Sequence, residues 1–359
     1  MINFVSPLTV AFAVILLGYA IGKIRFCNIS LDLSAILLVA ITLGFVISKF
    51  DPSITDANFN DTMSAYSRLG TSLFVSVIGI MSGFSLKLSS KRTVLYLFIG
   101  CLAVLVGFVV GLLIGYIDSD TDKSLLLGIL SGALTSTPGL AVISERQDLV
   151  AEISAIGYGV AYILGVVIVV IVAQLSGRFT PQKERFKREV RAVTVTDGTL
   201  GILLITLCAL IGEIIGKLSL FGCSLGTTGA TLICGIAVGC IIRKSHIGCN
   251  VEHSFPIYRN LGLMLFFVGN GVIAGTRLNS GISIKWFILG AVMTLSSVMA
   301  VWLVCKILRL DICSLMAGAM TSTPALGVLV KKGYAVDLTA YSISYIGALL
   351  TMTVGIKFI

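Results

Sequence analysis

Apolar runs near 6–24, 33–49, 69–86, 93–117, 124–143, 152–177, 198–216, 226–242, 260–276, 284–305, 312–330 and 338–356 fill most of the chain. Only short polar stretches part them. Runs of this length with few charges read as membrane segments, because about 20 helical residues cover the ~30 Å of a bilayer core. There are twelve, six in each half. The stretch 50–66, with Asp51, Asp56 and Asp61, reads as a polar linker. Residues 178–191 carry the densest charge: Arg178, Lys183, Arg185, Lys187, Arg188 and Arg191. Phe179, Phe186 and Val190 interrupt it. Two readings fit that stretch, an amphipathic helix on the membrane surface or a solvated linker. The division is an N-terminal membrane repeat 1–177, a basic cytoplasmic linker 178–195 and a C-terminal membrane repeat 196–359.

The pattern repeats in detail. Residues 132–141 read GALTSTPGLA and residues 318–327 read GAMTSTPALG. IGKIRFCNISL at 21–31 matches IGKLSLFGCSL at 215–225, and LGTSLFVSVIGIMSG at 69–83 matches LGLMLFFVGNGVIAG at 261–275. Tyr158 and Tyr162 match Tyr341 and Tyr345. The blocks keep their order, so the chain is a duplication. Its period is far too long for a solenoid.

The shared phrase holds Thr135, Ser136, Thr137, Pro138 and Gly139, then Thr321, Ser322, Thr323 and Pro324. Proline removes a backbone donor and clashes with the preceding turn, so a helix kinks or stops there. Such a break in hydrocarbon survives only when buried in protein or lining a watery cavity. Paired breaks in two halves point to a transporter binding site.

Basic residues choose the topology. With the N-terminus outside and twelve crossings, 11 of the 26 Lys and Arg residues fall inside and 15 outside. If 124–143 and 312–330 are re-entrant hairpins, the count becomes 18 inside and 8 outside. The positive-inside rule selects the second arrangement. Each half then has five transmembrane helices plus one hairpin. An odd number of crossings makes the repeats inverted, puts both termini outside and lets the hairpin tips meet near the midplane.

A hairpin tip starts a half-helix, whose unpaired N–H groups and dipole favour an anion such as a carboxylate. Hydroxyls add donors and acceptors without buried charge. The competing reading is a kink that Ser and Thr repair. Asn270, a polar amide in an apolar run, is a candidate substrate ligand or an interhelical bond. Tyr162 and Tyr345, with Tyr158 and Tyr341 one turn before them, either line the path or serve as interface aromatics. Gly79 and Gly83, matched by Gly271 and Gly275, predict a second paired break. Ser76, Gly79, Gly269 and Gly271 are candidates for a coupling ion, sodium or proton. Glu213 is another, although it lies near the outer end of its run.

Composition narrows the class. The chain is 57% hydrophobic and 12% charged, with mean hydropathy +1.04. That excludes an ordinary soluble globule. The net charge of +9 follows from basic residues on one membrane face and needs no nucleic-acid partner. Nine scattered cysteines without a C-x-x-C pair read as apolar filler. His246 and His253 form no ligand cluster, so no metal is expected. No catalytic grouping or phosphate loop is visible, so neither an enzyme nor a cofactor is expected. Lys23 and Arg25 follow the first run instead of preceding it, which reads as a retained span and not a signal peptide.

At GALTSTPGL and its second copy, the 261–275 block, G-Y-x-x-A-Y at 157–162 and the entry blocks at 21–31 and 215–226, the chain resembles the aspartate–alanine exchanger family of bacterial secondary transporters. That resemblance implies exchange or export of small amino acids or dicarboxylates, such as aspartate, alanine or succinate, in the bacterial inner membrane without ATP. Members usually carry regulatory cytoplasmic domains between the halves, where this chain has only 178–191. The two-hairpin plan is also similar to that of the sodium/glutamate and sodium/citrate symporters, which suggests elevator movement and a homodimer. The alternatives are an uncoupled channel or passive exporter of small organic anions, or an ion-coupled symporter of the glutamate/citrate kind. A solute sensor is disfavoured, since no soluble domain is visible.

Overall fold

The computed structural model describes residues 6–24, 33–51, 54, 56–85, 91–117, 121–146, 148–177, 198–217, 219–220, 223–224, 226–245, 254–276, 283–322, 325–326, 329 and 336–358. The basic stretch 178–191, both histidines, Thr323 and Pro324 lie outside these residues. Helices dominate: α1 Pro7–Gly22, α2 Ser34–Phe50, α3 Ala57–Ser85, α4 Lys91–Ile117, α5 Lys123–Ala133, α6 Thr137–Ser144, α7 Ala151–Gly177, α8 Gly198–Gly216, α9 Gly226–Ser245, α10 Phe255–Thr276, α11 Ile284–Ile307, α12 Ile312–Ala319 and α13 Leu338–Phe358. The strands among the described residues are a two-residue pair between α8 and α9, with Ser219 opposite Ser224.

Among the described residues, eight helices, α3, α4, α7 to α11 and α13, are long and apolar enough to cross a membrane. α1 and α2, at 16 and 17 residues, reach about 24–26 Å at 1.5 Å per residue. On α4, α8 and α11 many large apolar side chains point outward, among them Leu113, Leu203 and Ile288. Lipid accepts such a face; water does not. The chain is a multi-pass membrane protein.

α3 begins at Ala57, inside the stretch expected to be a linker. Phe59 and Met63 are buried one turn apart. They give a polar-looking sequence one apolar face, which is enough for an amphipathic helical extension.

The segment 123–148 folds back on itself. Asp122 caps α5 through the N–H groups of Ser124 and Leu125, at 2.8 and 3.1 Å. Lys123 then lies 3.8 Å from Asp148, and the Val150 N–H donates to Ser124 Oγ at 2.9 Å. The chain leaves at the level where it entered. The second half repeats the design. Asp311 caps α12 through Cys313 N–H at 3.1 Å, and the Asp337 N–H donates to Ser314 Oγ at 2.8 Å. Asp337 opens α13, whereas Arg146, just past α6, donates to the carbonyl of Ile356 near the other end of α13. The hairpin mouths therefore open at opposite ends of the bundle, and their tips point toward each other.

The helices pack in two groups. α4, α5, α7, α11, α12 and α13 pack mainly on one another, as do α1, α2, α3, α8, α9 and α10. Pairings in one half recur in the other: α5 on α7 and α12 on α13, α2 on α10 and α9 on α3.

The second paired break is not there. α3 and α10 run unbroken through Gly79, Gly83, Gly271 and Gly275. A Cβ at Gly79 would sit 2.7 Å from the Leu232 carbonyl oxygen of α9, and one at Gly271 would sit 2.5 Å from Ala40 Cβ of α2. Glycine keeps helical dihedrals here, at a cost of roughly 1 kcal/mol against alanine, and lets two backbones touch.

Candidate functional site

Both hairpins turn on a threonine in the left-handed region, Thr135 at φ 51° and Thr321 at φ 48°. A β-branched residue rarely sits there, so the surroundings must hold it. Each tip holds the other. Thr135 Oγ1 donates to the Met320 carbonyl at 2.5 Å. Thr321 Oγ1 donates to the carbonyls of Thr135 and Leu134 at 3.0 and 3.2 Å. These carbonyls close α5 and α12, and such groups are orphaned at helix ends. The clasp satisfies them.

The serines cap. Ser136 Oγ accepts from the Gly139 N–H and Ser322 Oγ from the Ala325 N–H, both at 3.3 Å. Pro138 lies in the first turn of α6, where its missing N–H costs nothing. In the first tip only Thr137 is part-exposed; Thr135, Ser136, Pro138 and Gly139 are buried. Thr137 Oγ1 lies 3.0 Å from the hydroxyl of Tyr158 on α7.

Tyr158 joins the groups of helices. Its ring stacks on Tyr162, centroids 5.3 Å apart, and meets Phe267 of α10 at 6.5 Å. Asn270 is one turn beyond Phe267 on α10 and 8% exposed. Its Nδ2 has no hydrogen-bond partner among the described residues. Tyr341 and Tyr345 also pair on α13, with centroids 5.7 Å apart and rings tilted by 34°. The glycine before each tip packs on the matching tyrosine, Gly132 on Tyr158 and Gly318 on Tyr341.

The coupling-ion candidates lie apart from the tips. Ser76 Oγ donates to the Ser72 carbonyl at 2.6 Å, and Gly79 faces α9. Gly269 meets Met63 and Ser67 of α3, and Gly271 meets α2. Glu213 pairs with Lys217 at 2.8 Å, and its side chain is 50% exposed. No group of three or more potential metal ligands occurs among the described residues.

Two further polar groups belong near the first tip. Ser131 Oγ is buried and without a partner among the described residues. A Cβ at Gly139 would sit 3.0 Å from that oxygen and 2.8 Å from the Met352 methyl. Thr353, next to Met352 on α13, has an Oγ1 that is likewise without a partner among the described residues. A serine one turn before Thr135 on α5 is the signal that would have found the first. Thr353 has no comparable cue.

The family model described as "Predicted Permease Membrane Region", Asp-Al_Ex, matches residues 10–177 and 204–359. The chain belongs to the Asp-Al_Ex family. The Asp-Al_Ex match takes in both hairpins and Asn270. Among curated relatives, an uncharacterized transporter of Desulfotalea psychrophila is 34% identical over 162 residues, 45% of this chain and 27% of the relative. One from Bacteroides thetaiotaomicron is 34% identical over 169 residues, 46% and 28%. One from Geobacter sulfurreducens is 34% identical over 186 residues, 47% and 31%. The matched stretches span less than a third of each of these relatives.

Proposed function

We propose that the protein is a secondary transporter that exchanges or exports small amino acids or dicarboxylates by alternating access. The observation that carries this reading is the meeting of two hairpin tips inside the bundle. It leaves Thr137 part-exposed at the start of α6 and the Asn270 Nδ2, on the facing helix, buried without a partner among the described residues. A carboxylate bound there takes hydrogen bonds from Thr137 and Asn270 and gains from the α6 dipole. Thr323 is the quasi-equivalent group on the second tip. The halves act as inverted repeats in a bacterial inner membrane, with both termini outside. The group of helices holding the tips moves against the group holding α3 and α10. Sparse contacts between the two groups and the matching pairings within them support this division.

Counterflow in proteoliposomes tests the reading. Liposomes loaded with unlabelled aspartate, alanine or succinate should take up the labelled solute faster than empty ones, and uptake should saturate. Uptake that ignores the internal solute and does not saturate indicates an uncoupled channel.

A further inference from the structure

Glu145 follows α6 at the mouth of the first hairpin. Its Oε1 accepts from the Thr228 N–H at 2.6 Å and from the hydroxyls of Thr227 and Thr228. Those residues open α9, so one carboxylate oxygen ties the tip-bearing group of helices to the other. Its Oε2 is buried without a hydrogen-bond partner among the described residues. Gly226, at φ 67°, brings the α9 terminus close; a Cβ there would sit 2.7 Å from Glu145 Oε2 and 2.5 Å from Lys357 Nζ.

We propose that Glu145 is a proton-binding latch: its protonated form holds α6 closed on α9, and loss of the proton to water opens that end of the protein. The inference rests on the alternating-access reading. An ionised carboxylate at a helix N-terminus with three donors would ordinarily be content. Here one oxygen has all three, while the other is dehydrated. Burial outweighs the donors and Lys357 and raises the Glu145 carboxyl above the usual carboxylate range. Among the described residues, the charged groups around it are Lys357 from α13 and Arg146 from its own turn. Arg146 is already bound to Asp148, and Thr227 and Thr228 of α9 are neutral. The closed form has the higher affinity for the proton, and the opened form returns the carboxyl to water and its ordinary value. Acid therefore favours closure, and closure weakens as pH rises through the raised value.

Ala141 lies one turn before Glu145 on α6 and is 1% exposed, so it reports opening. Ala141→Cys in a cysteine-free version of the protein is labelled with a water-soluble maleimide. Each rate is divided by that of the unfolded protein at the same pH, which removes the thiol's own titration. The normalised rate should rise several-fold from pH 5 to pH 8, as the closed form gives up its proton. Adding Glu145→Gln, a neutral carboxamide that keeps an acceptor for Thr228, should hold the rate low at every pH. Glu145→Ala removes the acceptor and should hold it high at every pH. Thr228→Val should raise the rate yet keep the slope. A flat parent profile overturns the proposal, and so does an unchanged slope in Glu145→Gln. Labelling needs no substrate, so absent counterflow with an intact pH response strikes the transport reading alone.

Discussion

The Thr-Ser-Thr-Pro phrase and the Gly79/Gly83 and Gly271/Gly275 pairs all suggest broken helices, yet only the phrase breaks one. At the tips, proline removes a donor, serine caps the new start, and a threonine at positive φ turns the chain. At the glycine pairs no proline removes a donor, and a side-chain bond to one of their carbonyls, from Cys240 Sγ to Gly83 at 3.4 Å, leaves the helix intact. The backbone stays helical and uses the missing Cβ for contact. A break in an apolar run therefore requires a replacement partner for each freed group; glycine alone provides none and serves close packing instead.

Gly83→Leu should break this comparison most violently. A Cβ there would lie 2.0 Å from the Ile236 carbonyl oxygen, and backbone cannot step aside cheaply. The expected loss exceeds about 3 kcal/mol, read as failure to recover monodisperse protein in detergent.

Next come the clasp threonines. Thr135→Val leaves the Met320 carbonyl unpaired and should lower stability by about 1–3 kcal/mol, measured by thermal unfolding. Thr135→Gly loses the same bond but relieves the left-handed strain, so it should be the milder change by about 1 kcal/mol. If valine is the milder, left-handed strain at Thr135 is not what the site bears; if Thr135→Val is as stable as the parent, the clasp does not hold the tip. The same order is expected at Thr321.

Asn270→Ala is smaller in stability and larger in function. Its Nδ2 lacks a partner among the described residues, so removal should change Tm by no more than about 2 °C for a chain of this size while substrate affinity falls about tenfold. An equal loss of fold and transport points to a structural bond instead. Glu213→Gln closes the series. An exposed pair with Lys217 is typically worth less than about 1 kcal/mol, so counterflow and Tm should match the parent. Lost transport there would instead make Glu213 a coupling site.

Much of this was legible in the sequence. The apolar runs gave the helices, and the duplicated phrase gave the tips. The tyrosine matching of 158 with 341 and 162 with 345 returns as two ring pairs, one stacked and one tilted. What could not be read was the division of labour within the phrase. Thr135 and Thr321 bind each other 185 to 187 residues apart, and no local pattern encodes a contact at that distance. Glu145 was hidden for the same reason, since its partners lie 82 and 83 residues on. Its setting, beside Arg146 and Asp148, looks like a solvated turn. The start of α3 was missed because two buried residues in a polar stretch do not raise average hydropathy.

The account's central claim is that a substrate carboxylate binds at the tips, with Thr137 as a ligand. The most direct measurement is the affinity of Thr137→Val for the counterflow substrate, set beside its Tm. Valine keeps the shape and the β-branching but removes the hydroxyl. One charge-assisted hydrogen bond is worth roughly 1.5–3 kcal/mol, so affinity should fall about tenfold or more while the protein still folds. Wild-type affinity in that variant would contradict the account and leave the tips as repaired breaks whose hydroxyls serve the protein alone.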